Sequence, residues 1–157
     1  MRRFAGPVIV IVILTSFIGG VAVPNVLNAL NRSRQKRSMA DMRSLASALE
    51  ARATETNNYS IGSTPVALTA TDFTSLTPVS LDAVHGAVSP KYIRKMPRVD
   101  GWGNEFDVRV GVKSYAIRSR GSDGDADPEI RFNYRIQSFE EDLVFVNGNF
   151  IQYPEET

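Results

Sequence analysis

The chain has no cysteine and a single histidine, His85, among its 157 residues. Without cysteine there is no disulfide, no thiolate metal site and no Cys nucleophile. A zinc centre or a triad enzyme built on several histidines is excluded by count. An excess of one charge is also missing. The formal net charge is +1, so no global field points to nucleic acid. There is no G-x-S-x-G and no Gly-rich phosphate loop. Glu50, Glu55, Asp72 and Asp82 form no visible acid–base pair. The chain is therefore not expected to be an enzyme, and no small-molecule substrate is expected. Acid is absent from the whole head of the chain: no Asp or Glu precedes Asp41.

What the sequence does contain begins in that head. Residues 4–31 carry no charged side chain, and residues 8–23 are mostly Val, Ile, Leu and Phe. Crossing a bilayer takes about 20 apolar residues of helix, so this run is long enough. A removable signal peptide has a shorter apolar core of about 7–15 residues. Residues 1–31 are thus expected to be an uncleaved transmembrane helix, with residues 32–157 forming an amphipathic helix and a globular domain. Arg2 and Arg3 favour an inside N-terminus, whereas Arg32, Arg34, Lys36 and Arg37 favour the reverse. Pro24, one turn after Gly19 and Gly20, predicts a bend near one membrane face.

Beyond the run, residues 31–55 read as helix. Met39, Met42, Leu45 or Ala46, and Leu49 recur at helical spacing and make one apolar stripe, which Arg34, Arg37, Asp41, Arg43 and Glu50 largely avoid. Thr56-Asn57-Asn58 stops it. Residues 61–78 are rich in Thr, Ser, Gly and Pro and read as loop. A short helix is expected within residues 80–92, with Leu81, Val84 and Val88 on one side and His85 as a surface or packed histidine. Asp100-Gly101-Trp102-Gly103-Asn104 is a dense turn, expected to be locked by its one large ring. Phe106, Val108 and Val110, then Tyr115, Ile117 and Ser119, alternate like half-buried strands. Asn147-Gly148 between two apolar runs marks a hairpin with a type I′ turn. The expected fold class is α+β: a long N-terminal helix packed against a small antiparallel β-sheet.

Seven acidic residues fall between Asp123 and Asp142. Within Gly121-Ser122-Asp123-Gly124-Asp125-Ala126-Asp127, alternate carboxylates on a Gly-containing loop can converge oxygens on a hard cation such as calcium. It is not an EF-hand, because the closing position, twelfth from Asp123, is Tyr134. The competing reading is a solvated acidic loop that binds nothing. The basic group Arg32, Arg34, Lys36 and Arg37 suits lipid headgroups or acidic patches on neighbouring copies, or simply a solvated helix turn. It is short and lacks interleaved aromatics, so no nucleic-acid partner is expected.

The apolar helix with Pro24-Asn25, the continuing amphipathic helix and the small sheet together resemble type IV pilin-like proteins. Tyr92-Ile93-Arg94-Lys95-Met96-Pro97, the Asp100–Asn104 turn and the stretch from Tyr115 to Gly124 resemble the major pseudopilin of type II secretion. So do Met42-Arg43-Ser44-Leu45-Ala46, Asn57-Asn58-Tyr59, and Glu141-Asp142-Leu143-Val144-Phe145 leading into the hairpin. The resemblance implies a pilin-like fold and a single-pass inner-membrane protein with its C-terminal domain in the periplasm. It further implies helix-on-helix self-association into a filament, contacts with other secretion-system subunits, and no catalytic role. It also implies calcium, held by the Arg120 carbonyl, Asp123, Glu140 and Asp142, with Asp125 or Asp127 able to replace either of the last two. The chain departs from that family at its head. Gly6 is followed by Pro7, and the early helix Glu used in subunit register is missing. Those departures leave a second expectation open, a membrane-tethered module with the same fold that does not polymerise.

Overall fold

The computed structural model describes residues 5–62 and 73–155, the side chains of residues 5–24 and of Thr74 excepted. The expected membrane span and the bend at Pro24 depend on side chains that lie outside the described residues. Among the described residues no helix is long and apolar enough to cross a membrane. The chain divides into two units, residues 1–33 and 34–157. Helix α1 spans Ala5–Thr56. In the first unit its last turns leave Val26, Leu27 and Leu30 exposed, at 58, 55 and 47%.

In the second unit the predicted stripe is the core. Met42, Leu45, Ala46 and Leu49 are buried and pack with Leu81, Val84 and Val88 of α2 (Leu81–Val88). The same cluster takes in Val108, Val110, Tyr115, Ile117, Leu143 and Phe145 from the sheet. Helix α1 ends where Asn57 adopts a left-handed φ of 56°, a conformation asparagine tolerates better than most residues. The Ser80 hydroxyl caps α2 by accepting from the Ala83 N–H at 3.3 Å.

Among the described residues the sheet has six strands: β1 (Thr77–Val79), β2 (Asp107–Val110), β3 (Tyr115–Ser119), β4 (Tyr134–Ile136), β5 (Leu143–Val146) and β6 (Asn149–Pro154). Their order is β1-β2-β3-β5-β6-β4. Four pairings are antiparallel, but β4 runs parallel to β6, with Tyr134 opposite Gln152. The sheet is therefore mixed, which corrects the expectation of a purely antiparallel one. The reason is connectivity. The segment between β4 and β5 lets the chain re-enter at β5 and turn tightly into β6, so β6 returns in the direction of β4. The reading of residues 61–78 as loop also needs correction, since Phe73–Ser75 forms a 3-10 turn and Thr77–Val79 an edge strand. Pro78 in β1 is tolerated because an edge strand need not donate on its outer side.

The hairpin forms as its dipeptide predicts: Asn147 and Gly148 both have positive φ, 47° and 92°. The Asn147 side chain accepts from the Tyr115 N–H at 2.9 Å, tying the turn to the next strand. Strands β3 and β5 are buried at every residue rather than at alternate ones. Phe73 and Leu76 cover their second face, forming a smaller cluster with Ala116, Val144, Val146 and Ile151. The Tyr115 hydroxyl crosses the main core and donates to the Glu50 carboxylate of α1. Burial, then Glu50, pushes the Tyr115 hydroxyl well above the usual tyrosine range.

Candidate functional site

The Asp100–Asn104 turn is closed by a carboxylate. Asp100 Oδ1 accepts from the N–H groups of Trp102, Gly103 and Asn104, each at 2.9 Å. Its Oδ2 accepts from the Ser119 hydroxyl at 2.7 Å. Asp100 is only 2% exposed, so these four donors satisfy a charge that burial would otherwise penalise. Beside the expected Trp102 ring, the Asp100 carboxylate thus closes the backbone of the turn. The turn meets α1 at Gly101, whose N–H donates to the Ser38 hydroxyl at 2.8 Å. That hydroxyl in turn donates to the Arg34 carbonyl at 3.0 Å.

The turn also reaches the acidic loop. The Asn104 side-chain amide donates to the Gly121 carbonyl at 2.8 Å. Gly121 has a φ of 64°, and a Cβ there would lie 2.4 Å from the Glu140 carbonyl oxygen. Two loops approach so closely at this point that only glycine fits. The Ser122 N–H donates to the Phe139 carbonyl at 2.8 Å, fastening the loops together.

Asp142 sits where they meet and is fully buried. It and Asp127 exchange reciprocal bonds. The Asp127 N–H donates to Asp142 Oδ2, and the Asp142 N–H donates to Asp127 Oδ2, both at 2.9 Å. Arg118 Nη1 lies 3.4 Å from Asp142 Oδ2. Asp142 Oδ1 is buried and has no hydrogen-bond partner. Burial pushes the Asp142 carboxyl up to about 6. The Asp127 N–H and Arg118 oppose that shift, and the charges of Asp127 and Asp123 reinforce it.

The expected metal ligands are thus brought together unevenly. Asp123 is exposed, accepts from the Asp125 N–H at 3.1 Å, and is near enough to act on Asp142 by its charge. The Asp125 side chain is exposed. Glu140 presents its backbone carbonyl to Gly121, while its side chain is exposed. Arg120 is half-buried, with Nε buried and unpartnered. Among the described residues no three His, Cys, Asp or Glu side chains form a group able to hold a metal by themselves. Calcium does not require that, because carbonyls and water complete its shell. What fits a hard cation is the orphaned Asp142 Oδ1, a buried anionic oxygen with further carboxylates nearby and no donor.

Asp127 proves the closest carboxylate partner of Asp142. Arg118 stands out only in the structure, since nothing in its sequence neighbourhood signals burial; the sequence marks the Asp100–Asn104 turn but not the bonds that Asp100 and Asn104 make. Next to the loop, Glu141 does a different job. Burial would raise its carboxyl, but the Gln137 and Ser138 N–H groups, the Tyr134 hydroxyl and Arg131 hold it below the ordinary range. It organises the turn after β4 rather than facing Asp142. No family model, no curated protein and no solved structure matches the chain.

Proposed function

We propose that the chain is a structural subunit of a pilin-like secretion filament, a pseudopilin, anchored in the inner membrane with its domain in the periplasm. The observation that carries this reading is the exposed apolar face of Val26, Leu27 and Leu30, continuous in sequence with the uncharged run before it. Adjacent exposed apolar side chains on a helix call for lipid or another protein. The α+β domain, with an amphipathic helix laid on a small sheet, supports a pilin-like head. The partners on this reading are the membrane, further copies of the chain and other secretion-system subunits. No catalytic step is assigned to it.

The absence of cysteine makes a clean test. A single Leu27→Cys substitution in the full chain, oxidised in native membranes, is expected to give disulfide-linked dimers. Loss of those dimers when the cysteine is moved to exposed Glu129 checks specificity. Full-length protein in the soluble fraction, uncrosslinked, overturns the reading. Membrane-bound protein without crosslinks favours the tethered, non-polymerising module, which Gly6-Pro7 and the missing early acid also favour.

Within the same reading, calcium binds at the junction of the acidic loops. Asp142, Asp123 and Asp127 are the carboxylates, with loop carbonyls around Arg120 and Glu140 beside them. Bound calcium would neutralise carboxylates that otherwise repel one another. With free calcium about a hundredfold above Kd, stabilisation of about 2.7 kcal/mol is expected. Melting the full chain in mild detergent with calcium and then with chelator should show that gap, and Asp123→Ala should narrow it. Identical curves for wild type in both conditions remove the metal from the proposal.

A further inference from the structure

Arg118 sits on β3 with its side chain only 8% exposed, between two carboxylates. Its Nη2 is 2.7 Å from Asp107 Oδ2, whereas its Nη1 is 3.4 Å from Asp142 Oδ2. The close ion pair therefore belongs to Asp107, and Asp142 receives only a long contact. The guanidinium lies 4.9 Å from the centre of the Phe73 ring, and Arg109 lies over the same ring at 4.4 Å. Arg109 also reaches Asp107, at 3.4 Å. Arg118 Nε is buried and unpartnered. The guanidinium is thus held beside an aromatic ring, with a close carboxylate partner in Asp107 and a more distant one in Asp142.

We propose that Arg118 is the internal counter-cation of the acidic loop, a positioning residue that holds Asp142 when no ion is bound and weakens the ion's grip when one is. The proposal rests on the reading of the loop as a calcium site. Its physics is direct. A buried carboxylate without a nearby cation is costly, and among the described residues Arg118 is the cation that contacts Asp142. A dication arriving at Asp142 Oδ1 would be repelled by that same guanidinium across a poorly screened interior. Asp107 keeps Arg118 from closing fully on Asp142, so the second oxygen stays available. Asp107 therefore sets affinity through Arg118, although it lies on a different strand, β2.

The test is calorimetric titration of calcium into the full chain in detergent, together with melting in chelator. Arg118→Gln should bind calcium about tenfold more tightly and melt roughly 10 °C lower than wild type in chelator. Arg118→Lys keeps the charge and should stay near wild-type affinity. Asp107→Asn frees Arg118 to turn on Asp142 and should weaken binding by about tenfold. In an Arg118→Gln background the Asp107→Asn change should have little effect on Kd, because Asp107 acts through Arg118. Wild type that binds calcium while Arg118→Gln binds equally or more weakly overturns the role of Arg118 alone. Wild type that takes up no calcium overturns the loop reading and this proposal together. Should Arg118→Gln fail to fold, Asp107→Asn with unchanged affinity is sufficient to overturn it.

Discussion

Asp100→Ala is expected to destabilise the domain by about 3–5 kcal/mol, the largest effect of any single side-chain truncation in the turn region. The carboxylate holds three backbone N–H groups and one hydroxyl, and it is almost fully buried. Alanine leaves those donors facing a void. The lost bonds are charge-assisted, which makes each of them stronger than a neutral one. Asp100→Asn separates the two contributions. Its amide oxygen can still accept from the three N–H groups, and its NH2 can face the Ser119 oxygen. It should therefore recover more than half of the loss. Urea unfolding of the full chain in detergent, followed by Trp102 emission, measures both variants; Trp102 is the only tryptophan. Asp82→Ala is the control, because its pair with Arg98 is exposed and such pairs contribute about 0–1 kcal/mol. Equal losses at Asp100 and Asp82 would refute the assigned role.

Gly101→Ala is expected to cost about 3 kcal/mol by a different mechanism. A Cβ at Gly101 would lie 2.2 Å from the Arg34 carbonyl oxygen and 2.7 Å from its carbonyl carbon. Both are helix backbone, so no flexible side chain can move aside. The turn must lift from α1, breaking the bond from the Gly101 N–H to Ser38. Gly103 makes the contrast within the same turn. Its φ is 99° and open space surrounds a Cβ built there, so substitution is resisted by backbone conformation alone. Gly103→Asn should therefore be tolerated much better than Gly103→Val, whereas at Gly101 no side chain is tolerated. Ser38→Ala should reproduce only part of the Gly101→Ala loss, since it removes the hydrogen bond without the clash. A Gly101→Ala protein with the stability of wild type would mean that the turn does not seat on the helix.

Legibility in the sequence followed the range of the interaction. The Met42–Leu49 stripe, the short helix within residues 80–92 and the Asn147-Gly148 turn rest on local patterns, and each appears in the structure where its chemistry places it. Strand β4 was not legible. It is three residues long and pairs in parallel with a strand that comes later in the chain, so neither turn residues nor a long alternation mark it. Strand β1 was hidden by Pro78 and the polar residues around it. The burial of Arg118 was hidden for another reason. The alternation of Tyr115, Ile117 and Ser119 leaves Ala116 and Arg118 on a face that reads as wet, and Phe73 and Leu76 packed on that face make it dry. The acidic loop advertised its carboxylates but not which of them meet. Asp127 and Asp142 are 15 residues apart, and no periodicity connects them; the resemblance alone had pointed to Asp142.

The place of β6 between β5 and β4 governs how this domain can assemble. A ribosome delivers β4 well before the one strand it bonds to, so the newborn Tyr134–Ile136 segment has no neighbour to zip against. The β5–β6 hairpin can close on itself through Asn147-Gly148 as soon as both halves have emerged, and its outer edge then becomes the template on which the waiting β4 is laid. Completion of the sheet therefore waits on β6, and β4, the last strand laid down, remains its edge.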